Sequence, residues 1–248
     1  MRKLALSDEI LLKVDKAARY IGGEVNSVMK DKNAVDIRFA MCFPDVYEIG
    51  MSNLGMMILY NMFNQREDVW CERLFSPWPD LDKVMREKKI PLFALESQEP
   101  IRDFDFLGIT IGYEMCYTNI LQVLDLSGIP LKSADRGEDF PIVIGGGACA
   151  YNPEPLAPFF DMFYIGEGET VYDALFDAYK ANKKAGGSRK DFLLAAAKIP
   201  GIYVPSLYEV TYKEDGTIAS FAPTADGVPE KVQKQLIIDM EKEYRAVE

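Results

Sequence analysis

Short apolar runs alternate with amphipathic stretches along most of the chain. Val35–Phe43, Val69–Phe75, Phe104–Ile111, Pro141–Ile144 and Met162–Ile165 read as strands. Phe104–Ile111 is apolar without alternation, the pattern of a strand covered on both faces. Between the runs lie helical stripes. Leu54, Met57, Ile58, Leu59, Met62 and Phe63 follow Ser52; Asp80 can cap a charged helix to about Lys89; Tyr117, Ile120, Leu121 and Leu124 line a helix from about Met115 to Leu126, ended by Gly128. Pro153, Pro155 and Pro158 limit the next segment to a turn or two. Further helices are predicted over Glu167–Tyr179 and Lys190–Lys198, separated by the linker 182–188. Strand and helix alternating in this way predict an α/β fold: a doubly wound, Rossmann-like or flavodoxin-like, five-stranded parallel sheet with right-handed crossovers.

The two ends break the alternation. Ser7–Arg19 reads as one helix, capped by Ser7, with Ile10, Leu11, Val14 and Ala18 on one stripe and Gly22-Gly23 as its stop. It forms an N-terminal helical arm over residues 1–33, ahead of the α/β domain at 34–200. Ile202–Tyr212 and Thr217–Pro223 flank Glu214-Asp215-Gly216, a hairpin signal. Residues 201–248 are therefore a C-terminal β-hairpin extension followed by the start of a polar linker.

Composition narrows the chemistry. The net charge of −11 repels polyanions and argues against direct nucleic-acid binding. The sequence lacks a long uninterrupted apolar run, and charges break up its N-terminus, so neither a membrane span nor a signal peptide is expected and the location is expected to be cytoplasmic. Cys42, Cys71, Cys116 and Cys149 have no CxxC spacing and read as small buried hydrophobes. There is no histidine in the 248 residues, which removes imidazole as metal ligand or general base.

In an open parallel sheet, ligands bind at the carboxyl ends of the strands. Those ends carry Asp45–Gly50, Ser76–Trp78, Gly112–Tyr117, Gly145–Asn152 and Gly166–Glu169. Gly145-Gly146-Gly147 either lets a ligand lie on bare backbone or marks a tight turn at positive φ. Tyr47, Trp78, Tyr113, Tyr117 and Tyr151 form an aromatic rim that suits a flat cofactor or a protein interface. Glu48, Glu114, Glu154, Glu167 and Glu169 make the rim acidic, the last two also suiting a first helical turn. Phosphate-loop spacings are absent, and the acidic, aromatic first loop disfavours flavin mononucleotide.

Taken together, strand one followed by Asp-x-x-x-x-Gly, a hydroxyl residue on strand three, Gly-Gly after strand four, and the stretch GGGACAYNPEPLAPFFDMFYIGEGE at 145–169 resemble the cobalamin-binding domain of radical SAM proteins. FPDVYEIGMSNLG, ERLFSPW and RYIGGE extend the resemblance over about residues 17–182 to an uncharacterised branch in which this domain precedes a radical SAM barrel. The resemblance implies that Asp45, Tyr47 and Gly50 stand for the family's DxHxxG, with a phenol where the metal-ligating histidine belongs. It implies that Thr110 and Gly112 stand for Ser-x-Leu, and that Gly145 and Gly146, with Gly147 beside them, make room for the nucleotide tail. Ser52 and Trp78 complete the candidate cofactor-binding set at the ends of neighbouring loops; no catalytic or metal-ligating residue is expected.

Cobalamin is thus an expected cofactor, bound without a protein histidine. The [4Fe–4S] cluster and S-adenosylmethionine are expected only in a C-terminal barrel of the parent chain, the expected partner, because CxxxCxxC is absent and the sequence stops near Glu248 as a fragment would. The implied function is an accessory domain of a radical SAM enzyme, which binds a corrinoid or shapes the barrel's active site. The alternative is a cofactor-free module that presents substrate or binds a partner. An independent enzyme using Glu48 or Glu114 as base is a third, less favoured reading.

Overall fold

In the computed structural model, which describes residues 4–239 and 241, the strands lie where the apolar runs predict. β1 (Ile37–Phe43) and β2 (Val69–Phe75) are buried along their whole length and pair in parallel from Ile37 with Val69 to Phe43 with Phe75. β3 (Phe106–Thr110) lies on the other side of β1, followed by β4 (Ile142–Gly146) and β5 (Met162–Tyr164), all parallel.

The sheet has six strands rather than the expected five. β6 (Ile202–Tyr203) adds antiparallel to β5, giving the order β2-β1-β3-β4-β5-β6. The predicted strand Ile202–Tyr212 is split at Pro205, which has no N–H to continue a ladder. Its second half, β7 (Tyr208–Tyr212), pairs with β8 (Ile218–Pro223) as a separate, largely exposed hairpin. The linker predicted after it is described only as far as residues 239 and 241.

The expected single arm helix is also different: it forms two helical turns, α1 (Asp8–Leu11) and α2 (Ala18–Ile21). Ser7 makes no side-chain capping bond, and Lys16 sits at φ +51°, which interrupts the helix. Leu6, Ile10, Val14 and Tyr20 are nevertheless buried on the domain. Lys30 Nζ donates to the carbonyls of Asn64, Arg66 and Val69 at 2.8, 2.5 and 2.6 Å, and Trp70 Nε1 donates to Val28 O at 3.0 Å. The arm therefore lies along β2, an edge strand that would otherwise offer unpaired backbone groups.

A helical turn, α3 (Tyr47–Gly50), follows β1 and leads into α4 (Leu54–Asn64), capped by Asn53, whose side chain accepts from Met56 N. α5 (Pro79–Lys88) has proline at its start, Asp80 and Asp82 in its first turn and Arg86 and Lys88 in its last. α6 (Tyr117–Leu126) follows β3, α7 (Tyr172–Lys184) follows β5, and α8 (Arg189–Ala196) starts at a Ser188–Asp191 capping box. α4, α7 and α8 cover the sheet face that carries Phe39, Met41 and Phe106. α5, α6 and the arm cover the face that carries Ala40, Cys42 and Ile109. Cys42, Cys71 and Cys116 are buried free thiols, as small hydrophobes should be.

β2 holds two charges in its interior. Glu72 pairs with Arg38 of β1 at 2.5 Å, and Arg73 pairs with Glu96 at 2.6 Å, all four side chains being a tenth exposed or less. Burial pushes the Glu72 and Glu96 carboxyls above their ordinary range, and the arginines pull back against it. Removing one member strands the other, so Glu96→Ala is expected to cost about 3–5 kcal/mol in a urea unfolding titration. The pair that Arg19 of the arm makes with the half-exposed Glu48 behaves differently. The Arg19 hydrogen bond leads in holding the Glu48 carboxyl down at about 2. That contribution is complete above the unfolded carboxyl value of about 4.3 and is lost as pH falls towards the folded value. Glu48 is 44% exposed, so Glu48→Gln is expected to cost under about 1 kcal/mol, seen as faster hydrogen exchange of the arm at neutral pH and no difference from wild type near pH 2.

Candidate functional site

β1 is followed by β2 on one side and bordered by β3 on the other, so the chain reverses its direction of winding between β1 and β3. A crevice at the carboxyl ends of these strands is where an open α/β sheet takes its ligands. On the α4/α7 face of that edge lies a cavity of about 190 Å³, walled by Thr110, Gly146, Asn53, Met56, Tyr164 and Tyr172.

Small residues create it. Gly108 and Thr110 of β3 stand in register with Ile144 and Gly146 of β4. The space over Gly108 is filled by the ring of Phe39, 2.4 Å from where a Cβ would sit. One step further along the strands, nothing replaces the missing side chain of Gly146, whose virtual Cβ finds only Tyr172 Oη, at 3.9 Å. The three glycines thus have separate tasks. Gly145 faces the opposite core, where a Cβ would lie 2.8 Å from Phe163 and 2.9 Å from Ile111. Gly146 opens onto the cavity. Gly147 has φ +101° and packs its Cα against the Ile111 backbone, so it meets both the turn and the close-approach requirement.

The first loop turns away from this cavity. Asp45 Oδ1 accepts from Val46 N at 2.7 Å, and its Oδ2 accepts from Tyr113 Oη at 2.8 Å, which bridges the loops after β1 and β3. Tyr47 stands edge-on to Phe75 at 5.5 Å and donates to Glu24 of the arm at 3.2 Å. Gly50 is buried with the Phe75 ring 2.2 Å from its virtual Cβ, so its lack of a side chain serves packing. Ser52 Oγ donates to Ile49 O at 2.8 Å within its own turn, Trp78 lies half exposed under Arg19, and Gly112 has open space around it. Of the ten candidate residues, the fold brings Thr110, Gly146 and Gly147 to the cavity wall.

Sequence reading missed Asn53, Met56, Tyr164 and Tyr172. Tyr172 follows the GEGE run by three residues and shows only as part of a predicted helix. The GEGE run itself holds a distant segment. Gln235 N donates to Ile165 O and Glu167 N donates to Gln235 O, both at 3.1 Å, and Ile237 N donates to the Glu167 carboxylate. Gly166, at φ +139°, allows this approach, since a Cβ there would meet Gln235 O at 2.4 Å.

Electrostatically the cavity is plain. Among the described residues that line it, Glu169 at the rim is the one charged side chain. Burial pushes the phenols of Tyr164 and Tyr172 upwards, so both remain neutral at physiological pH. No group of three or more His, Cys, Asp or Glu able to hold a metal occurs among the described residues.

Two glycines of the sequence resemblance, Gly50 and Gly146, separate in a simple test. Gly50→Ala, forced against Phe75, is expected to lower stability by about 1–3 kcal/mol. Gly146→Ala, entering open space, is expected to change it by less than about 1 kcal/mol, both by thermal and urea unfolding.

Residues 55–205 match the family model described as radical SAM proteins, N-terminal. An uncharacterized protein of Methanocaldococcus jannaschii is 26% identical over 131 residues, 52% of this chain and 24% of that protein. The match thus spans about a quarter of the relative's length. No solved structure matches the chain. No helix among the described residues is long and apolar enough to cross a membrane. With more than half its length inside the family model, and with a mostly parallel α/β sheet, the chain belongs to the family of N-terminal domains of radical SAM proteins.

Proposed function

We propose that this domain is an accessory unit of a radical SAM enzyme and that its cavity takes the base at the end of a corrinoid's nucleotide tail, with the phosphate left outside. The observation that carries this reading is the opening beside Gly146 and Thr110. It stands at the carboxyl ends of β3 and β4, next to the switch point, where bare backbone admits a flat group against the sheet. Its 190 Å³ falls below the roughly 300–1,000 Å³ of pockets that enclose a whole ligand, which fits a tail inside with the rest of the molecule outside. The uncharged inner wall suits a neutral ring and does not suit a phosphate.

Thr110, Gly146 and Tyr172 would hold the tail, and the exposed edge around Tyr113, Met115 and Tyr151 would face the corrin ring. A corrinoid, when bound, supplies alkyl transfer at cobalt. With no histidine in the chain, no imidazole of this domain reaches that metal. Tyr47, held by Glu24 and Phe75, is positioned to fix the first loop on the arm. Residues 235–237, clamped by Gly166 and Glu167, carry the chain along the carboxyl edge, which supports a barrel of the parent protein closing over the same edge. The contrary reading, a cofactor-free interaction module, is favoured by the Tyr47–Glu24 bond and by the acidic rim.

Titration with hydroxocobalamin separates them. The corrinoid reading expects a shifted visible spectrum and co-elution of corrinoid with protein from a desalting column, both abolished by Gly146→Val, which fills the cavity. An unchanged spectrum with no retention would leave the interaction module.

A further inference from the structure

The inner wall of the cavity contains a hydroxyl with nothing to bind. Tyr172 is 8% exposed. Its ring is fixed by Phe63 at 4.6 Å, Tyr164 at 5.7 Å and Phe176 at 5.9 Å between centroids. Its Oη reaches the cavity 3.9 Å from the virtual Cβ of Gly146 and has no hydrogen-bond partner among the described residues. The neighbouring phenol is different, since Tyr164 Oη already donates to Glu167 O at 2.5 Å. The Thr110 hydroxyl, at the register position beside Gly146, also lacks a partner among the described residues. The Tyr172 ring is buried while its Oη opens onto the cavity, so this hydroxyl pairs with whatever the cavity holds, water or ligand.

The surroundings define what can pair with it. The walls are aromatic, aliphatic and bare backbone, which favours a flat ring. No lysine or arginine lines the cavity among the described residues, and Glu169 stands at its mouth, so an anion is disfavoured. Tyr172 stays a neutral donor because burial opposes its ionisation. A neutral phenol keeps its O–H, which can donate to a group that offers a lone pair.

We infer that Tyr172 is the specificity-determining donor of this cavity and selects a neutral, flat heteroaromatic ring that carries a ring-nitrogen acceptor. The inference rests on the corrinoid reading only in that a benzimidazole tail is one member of this class. It is tested with rings small enough to enter alone: 1-methylbenzimidazole, and 1-methylindole, which has the same shape and no acceptor nitrogen.

Ligand-observed NMR with the full chain is expected to show 1-methylbenzimidazole binding about five- to tenfold tighter than 1-methylindole, the size of one net hydrogen bond. Tyr172→Phe, folded by its thermal transition, is expected to bind both rings equally, at the wild-type affinity for 1-methylindole. Equal affinities in the wild type overturn the inference whether or not the variant folds. A nitrogen preference that survives Tyr172→Phe overturns it too, as does failure of either ring to bind, even where hydroxocobalamin is retained. If hydroxocobalamin is not retained while the Tyr172-dependent preference persists, the corrinoid reading fails and the ring-reading site stands.

Discussion

The ring of Phe39 lying over Gly108 is the contact on which the rest of this domain turns. It stacks on Phe106 at 5.7 Å and meets Phe63 and Phe176 edge-on at 5.0 and 5.9 Å, joining β1, β3, α4 and α7 in one aromatic cluster. Interiors pack to the density of organic crystals, so a missing side chain is either filled by a neighbour or remains as a hole. Phe39 fills the hole at Gly108; no residue fills the one at Gly146. The cavity floor therefore begins where the Phe39 ring ends, and the same cluster that closes the core sets the tilt of Tyr172.

The arm and the segment around residue 235 are tied to different parts of the carboxyl edge. The arm holds the first loop, through Arg19 on Glu48 and Tyr47 on Glu24. The segment after the hairpin holds the loop after β5, through Gln235 on Gly166 and Ile237 on Glu167. Between them, Tyr113 and Asp45 bridge the loops after β1 and β3. Partly exposed contacts of this kind contribute modest stability individually. Their effect is to fix loops that surround a crevice. The buried pairs on β2 act in a different way: Glu72 and Arg73 find partners only in the native register with Arg38 and Glu96, which penalises slipped arrangements of a strand that is otherwise all apolar.

Periodicity read the five parallel strands, the helices between them and the hairpin turn well, because covered strands and amphipathic helices leave local patterns. It failed where a tertiary contact decides. Ile202 and Tyr203 join the sheet because β5 presents an open edge to them, a fact the run Ile202–Tyr212 does not contain. The arm breaks at Lys16, whose φ of +51° is not signalled by the apolar stripe of Ser7–Arg19. In the Asp45–Gly50 loop, Tyr47 and Gly50 pack around Phe75, a direction that spacing along the chain does not encode.

By itself, then, the sequence determined the α/β class, the lack of any imidazole in the chain, and a glycine run after the fourth apolar strand. Each of these follows from residue type or from spacing along the chain. The tertiary structure alone decided that the three glycines face three different surroundings, and that Thr110, Gly146 and Tyr172, far apart in sequence, share one wall. Strand register and aromatic packing set those directions, and both are relations between segments that no local pattern encodes.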